Sequence, residues 1–251
     1  MRIKENMKRN IKSLIGFTLR ATDGEVGKVK EFYFDDETWT IRYLIVDTGN
    51  WLSGRVVLIS PQALLAPDGE GKTFPINLTR EQIKNSPDIN TDIPVSRQEE
   101  IKLHSYYPWV NYWAPGYLGG MGPMTDSGVL SEQRKEEQGE DKHLRSTNKV
   151  TGYTIKASDG KIGTLEDFLV DVSWKIDFIL IDTGHWFPGK KVLLSPDMIK
   201  EIDWATELVV VDTTVAHVKN SPEYDPKQEL TEVYRLVLHD HYHRLVSKNY
   251  H

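Results

Sequence analysis

Two small antiparallel β-barrels in tandem, each followed by a C-terminal α-helix, form the mainly-β fold that this sequence predicts. Three observations carry that prediction. The chain repeats itself: "GFTLRATDGEVG" (16–27) returns as "GYTIKASDGKIG" (152–163) at an offset of 136 residues, and "WTIRYLIVDTGNWLSGRVVLISP" (39–61) returns as "WKIDFILIDTGHWFPGKKVLLSP" (174–196) at 135. Each copy consists of short apolar runs punctuated by turn residues, the pattern of a small all-β domain. Each copy then closes on a helix-start signature.

Taken in order, Gly16–Thr22 and Glu25–Asp35 read as a β-hairpin joined by Asp23-Gly24, a dipeptide that tolerates the positive φ angles of a tight turn. Val26 and Val29 flank Gly27 at odd spacing, as Ile162 and Leu165 flank Gly163, which predicts a bulge that resets the inward face. Trp39, Ile41, Tyr43 and Ile45 alternate with Thr40 and Arg42, and Trp174, Ile176, Phe178 and Leu180 with Lys175 and Asp177, so each set predicts a strand buried on one face at its start and on both near its end. Further strands are expected at "RVVLI" and "KKVLL", and near Phe74–Ile76 and Leu208–Val211. Five or six short strands in that span imply a barrel or closed sandwich.

Helices come last. "SRQEE" from Ser96 carries the Ser-x-x-Glu capping box, in which hydroxyl and carboxylate each satisfy a free backbone donor. Asp225-Pro226 offers a cap followed by proline at the first helical position. The predicted organisation is a first domain over 11–107, a linker over 108–147 and a second domain over 148–246. The linker begins with the aromatic, Gly/Pro-rich "PWVNYWAPGYLGGMGPM" and continues as a charged run poor in large apolar groups.

Composition excludes several classes. The 251 residues contain no cysteine, hence no disulfide framework or thiolate metal site. Apolar runs fall far short of the roughly 20 residues of a membrane-crossing helix, so no transmembrane segment is expected. The basic start "MRIKENMKRN" lacks a secretory apolar core. A cytoplasmic protein is the expectation, with peripheral membrane contact through that basic start left open. A net charge of −6 argues against broad nucleic-acid binding, which draws its affinity from clustered cations.

The ordered pattern Gly-x-x-(Leu/Ile)…Asp-Gly-x-(Val/Ile)-Gly, an aromatic strand, Asp-Thr-Gly-x-Trp-x-x-Gly-(Arg/Lys) and "VLISP" or "VLLSP" occurs twice. It resembles the PRC-barrel domain family, which includes the cytoplasmic domain of the photosynthetic reaction-centre H subunit and the C-terminal domain of a ribosome-maturation factor. The resemblance covers about residues 12–94 and 148–228. It implies a non-enzymatic barrel used for protein contacts, with a membrane-linked, reaction-centre-like assembly as one setting and ribosome or RNA association as another.

The residues also suggest chemistry. Two Asp-Thr-Gly loops are what an aspartic hydrolase uses to hold two carboxylates that share one proton, which would make Asp47 and Asp182 the pair. Asn50-Trp51 and His185-Trp186 follow where small residues are needed, so Asp47, Gly49, Asp182 and Gly184 are read as structural loop residues and no catalytic residue is expected. His239 and His243 lie four apart, yet spacing alone does not make a zinc site, and neither metal nor cofactor is expected. The candidate interaction residues are Trp51, Trp186, Tyr106, Tyr107, Trp109, Tyr112, Trp113 and Tyr117, because aromatic side chains bury large areas while keeping a polar tip. Docking within the chain is the structural alternative for them. The partner is a protein, with a second copy of the chain left open.

Overall fold

The computed structural model describes residues 9–89, 95–113, 143–184, 189–228 and 230–243. The chain forms two compact units. The first comprises Ile15–Glu37 and the described residues of Arg42–Arg145; the second comprises Thr38–Ile41, the described residues from Ser146 onward and those up to Leu14.

In the first unit, β2 (Thr18–Ala21), β3 (Gly24–Asp35), β4 (Thr40–Asp47), β5 (Val56–Ile59) and β6 (Thr73–Pro75) run in the order β5-β4-β3-β2-β6. The predicted hairpin is β2–β3, and its register slips between Leu19 and Arg20 beside Gly27. A Cβ added at Gly27 would stand 2.0 Å from the carbonyl oxygen of Asp47, so only glycine lets the Asp-Thr-Gly loop close over the bulge. Leu19, Val26, Phe32, Phe34, Tyr43 and Phe74 fill the core at complete burial.

Past the sheet, two helices follow: α2 (Arg80–Lys84) and α3 (Arg97–Tyr106). Thr79 and Gln82 form a capping box on α2. The repeated Asn-Ser-Pro that ends this segment is tied down by Arg55, whose guanidinium donates to the carbonyls of Ser86 at 2.7 Å and Pro87 at 2.6 Å.

The second unit repeats the plan with β8 (Thr154–Ala157), β9 (Gly160–Val170), β10 (Ile176–Asp182), β11 (Lys191–Leu194), β12 (Ile199–Asp203) and β13 (Leu208–Val211). Their order is β11-β10-β9-β8-β13-β12. Gly163 answers Gly27: a Cβ there would stand 2.1 Å from the Asp182 carbonyl oxygen. Helices α4 (Thr147–Val150), α5 (Val215–Lys219) and α6 (Glu232–His243) complete the unit.

Two expectations are corrected. The sheets are mixed and not antiparallel, because β2 pairs parallel with β6 and β8 pairs parallel with β13. After β5 or β11 the chain crosses to the far edge of its sheet and returns in the direction of the first strand, which only a parallel ladder accommodates. Nor does either sheet close into a barrel: among the described residues no pair joins β5 to β6 or β11 to β12. β5 is four residues long and β6 three, so few ladder bonds are on offer at those edges.

The second unit also holds a segment from before the first repeat. β1 (Arg9–Asn10) pairs antiparallel with the end of β9, Arg9 opposite Val170 and Asn10 opposite Leu169. The helix α1 (Ile11–Leu14) follows, and the Lys12 backbone N–H donates to the buried Asp167 carboxylate at 3.1 Å. One repeat offset along the chain, β7 (Leu144–Ser146) pairs with β3. Equivalent short strands thus each complete the long strand of the opposite repeat.

Candidate interaction groove

Helices α3 and α6 occupy the same place in the repeat, and their caps differ. Ser96 caps α3 as predicted: its hydroxyl accepts from the Glu99 backbone N–H at 3.3 Å, and Glu99 accepts in return from Ser96 N–H at 2.9 Å. Helix α6 begins later than predicted, with Thr231 accepting from Tyr234 N–H at 3.2 Å. Asp225 caps a turn instead, accepting from Lys227 N–H at 2.9 Å.

In the first unit the space beside α3 is filled by the aromatic segment that follows the helix. Tyr107 is buried and stacks on Trp109 with ring centroids 4.3 Å apart and planes 18° from parallel. Trp113 packs on His104 at 4.7 Å. The Arg42 guanidinium lies 3.7 Å from the Tyr112 ring centroid, and Arg97 lies 4.5 Å from that of Trp113. Gln62 donates to the Val110 carbonyl at 3.1 Å and accepts its N–H at 3.0 Å, while the Tyr106 hydroxyl donates to the Gln82 carbonyl at 2.8 Å.

A buried polar knot lies beneath this segment. Glu100 is 0% exposed. Its carboxylate accepts from the hydroxyls of Tyr43 at 2.8 Å and Tyr112 at 2.6 Å, and sits 2.9 Å from both Arg97 Nη1 and His143 Nε2. Burial pushes the hydroxyls of Tyr43 and Tyr112 well above their ordinary pKa and lowers His104 to about 4, so the hydroxyls stay protonated and His104 stays neutral at pH 7.

Among the described residues the second unit has a groove at the corresponding place, a cavity of about 900 Å³ beside α6; residues 244–248, which correspond to 109–113, lie outside the described residues. Phe178, Met198, Leu236 and Tyr242 supply apolar wall. Asp177, Asp197, Asp212 and Glu232 line it as well, with Arg235. Counted back 135 residues, Asp177, Asp197, His217 and Glu232 of this lining correspond to Arg42, Gln62, Gln82 and Arg97. Arg42, Gln62 and Arg97 touch the aromatic segment in the first unit, and Gln82 accepts from Tyr106 at the end of α3. Along α6, Val233 is 71% exposed, Leu236 67% and Val237 50%, three apolar side chains at helical spacing.

The remaining candidate residues fall as follows. Trp51 is part-buried within its own unit, its indole N–H donating to the Val26 carbonyl and Arg80 lying 4.4 Å over its ring. Asp47 and Asp182 each accept the backbone N–H two residues on, from Gly49 and Gly184, both at 2.8 Å, and the two glycines have φ near +56° (57° and 55°). Trp186 and Tyr117 lie outside the described residues, as does the side chain of His243. His239 is exposed, and among the described residues no three His, Asp or Glu side chains are placed to share a metal ion.

Sequence reasoning found the aromatic segment but missed Arg42, Arg97, Glu100 and His143 beneath it. One signal was present: Arg97 and Glu100 return as Glu232 and Arg235, a pair whose signs are exchanged between the repeats.

The family model of the PRC-barrel domain matches residues 8–83 of the chain. No curated protein matches it.

Proposed function

With a PRC-barrel domain over residues 8–83 as the premise, we propose that the chain is a non-enzymatic protein-interaction module built from two such domains in tandem. One observation carries this reading: among the described residues a groove lies beside α6, while its counterpart beside α3 is filled by a peptide segment of the chain itself. A scaffold that holds its own segment in one copy has the shape to hold another protein's segment in the other. The apolar stripe of Val233, Leu236 and Val237 extends that surface along α6. The filled side serves as a brace, since its aromatic residues are engaged within the unit.

The working setting is the cytoplasm, at the face of a membrane-linked complex, with the partner bound at the groove. No helix among the described residues is long and apolar enough to cross a membrane. The test is affinity capture from native lysate with the intact chain and with a Val233→Glu, Leu236→Glu variant. Both positions are exposed, so the fold tolerates the change. The intact chain retains partners that the variant loses; an identical partner set for both proteins would sink the reading.

A further inference from the structure

We infer that His217 and His241 form a proton-sensitive clasp that fastens the last turn of α6 to α5 near neutral pH and releases it in mild acid. The inference rests on the proposed interaction module, because His217, His239 and Tyr242 line the groove beside α6, and it names a regulation of that site.

The bonds of the clasp are reciprocal. His217 Nε2 lies 2.9 Å from the carbonyl oxygen of His241, and His241 Nε2 lies 2.9 Å from the carbonyl oxygen of His217. A carbonyl only accepts, so both rings carry a proton on Nε2. In the neutral His217 ring Nδ1 is then left to accept, and the Thr213 hydroxyl stands 3.0 Å from it. The two rings lie with centroids 4.3 Å apart and planes 31° from parallel, and the Tyr242 ring meets both nearly edge-on.

Charge is what this arrangement does not accommodate. A first proton on His217 keeps every bond, since Nδ1–H donates to Thr213 once the hydroxyl turns. A second proton, on His241, places two cations 4.3 Å apart, and release of the helix turn lets both rings hydrate. Burial is the main cause that holds His217 below the ordinary histidine range; the charge of His241 adds to it, and the bond to the His241 carbonyl works the other way. The clasp is therefore fully favoured above the ordinary value of 6.5 and loses strength as pH falls below it. The charged groups on the surrounding elements are Lys219 on α5, Glu232, Arg235, His239 and Asp240 on α6, and Asp159 and Asp212 on the neighbouring turns. Asp212 pairs with Lys200, Arg235 pairs with Glu232, and Asp159 accepts the Val215 N–H. Leu238, buried in the core beneath, holds the middle of α6, so release is confined to its last turn.

The first unit makes the same contact without histidine. Counted back 135 residues, His217 and His241 are Gln82 and Tyr106, and the Tyr106 hydroxyl donates to the Gln82 carbonyl at 2.8 Å. Histidine is the side chain whose ordinary charge change falls between about pH 5 and 8, and the second unit carries one at each of these positions.

Amide hydrogen exchange on the full-length chain tests the clasp with no partner added, read by mass spectrometry at about pH 7.5 and about pH 5.5 and corrected for intrinsic rates. Protection over residues 239–243 should fall about tenfold more in the intact chain than in a His217→Gln, His241→Tyr variant. That variant installs the pair of the first unit and keeps the acid response of the rest of the chain. An equal fall in both proteins, or none in the intact chain, would overturn the inference. NMR of the isotopically labelled intact chain gives a reading that needs no variant: at about pH 7.5 both rings should be Nε2–H tautomers, and an Nδ1–H tautomer in either removes the clasp. A failed clasp leaves the interaction module to its own capture test, and a module that fails capture leaves the clasp to this one.

Discussion

Helices α3 and α6 carry the same i,i+3 ion pair in opposite order and opposite surroundings. In α3, Arg97 and Glu100 meet at 2.9 Å with side chains 10% and 0% exposed; in α6, Glu232 and Arg235 meet at 2.8 Å with 58% and 37% exposed. The separation is nearly the same, so distance does not distinguish them. What differs is the setting: the buried carboxylate also gathers two hydroxyls and His143, whereas the exposed pair lines the groove beside α6. The repeated framework thus holds the pair once in a buried polar knot and once on a more exposed, groove-lining helix face.

The largest expected effect separates the two helices directly. Glu100→Ala should cost about 3–5 kcal/mol, because it strands Arg97 and His143 without their shared counter-charge. Arg235→Ala should cost below about 1 kcal/mol. Urea unfolding followed by tryptophan fluorescence reads both, and equal losses would break the comparison.

Where the repeats agree, effects should match. Gly27→Ala and Gly163→Ala each drive a methyl into a backbone carbonyl, so both should lose about 3 kcal/mol in the same unfolding experiment. A large loss at one and none at the other would show that the loop closes over the bulge in only one unit.

Acid should act on the braced side. His104 is neutral in the fold with its pKa lowered to about 4, chiefly by burial, although Glu100 favours its charged form and Arg97 opposes it. The unfolded chain takes up that proton near its ordinary value of 6.5, so stability is full above that pH and falls as pH drops toward 4. The loss amounts to about 3 kcal/mol at the lower end. A pH series of unfolding midpoints should show this slope in the intact chain and a shallower one in His104→Gln; the same slope in both would remove His104 as its source.

The smallest effect concerns the Asp-Thr-Gly loops. Asp47→Ala and Asp182→Ala each lose one turn-closing hydrogen bond, about 1 kcal/mol, with no enzymatic consequence. A peptide-cleaving activity at acid pH that disappears in both variants would instead revive the hydrolase reading.

Much of the fold was legible because its signals are local. Asp23-Gly24, the odd spacing around Gly27, the alternation from Trp39 and the Ser96 capping box all act within a few residues of themselves, and the duplication displayed the first three of them twice. The parallel placement of β6 and β13 was not legible, since a strand of three or four residues carries no mark of which neighbour it will meet. Helix α2, with five residues, is too short to show a helical period. In the groove, Tyr107, Trp109, Tyr112 and Trp113 announced themselves by type, but their attachment to Arg42, Gln62 and Arg97 depends on sequence separations that no local pattern records. Nothing local in the sequence distinguishes Glu100 from Glu99 beside it, although the fold buries it completely.

The pairing of β1 with β9 and of β7 with β3 bears on ancestry and on engineering. A polypeptide carrying one repeat would own a short strand and a long strand suited to each other's type, and two such polypeptides could trade the short ones to make a symmetric dimer. Joining them end to end turns that trade into an event within one molecule, governed by the tether's effective concentration and no longer by dilution. Severing the chain in its charged connector should accordingly yield two fragments that recover full order only when mixed.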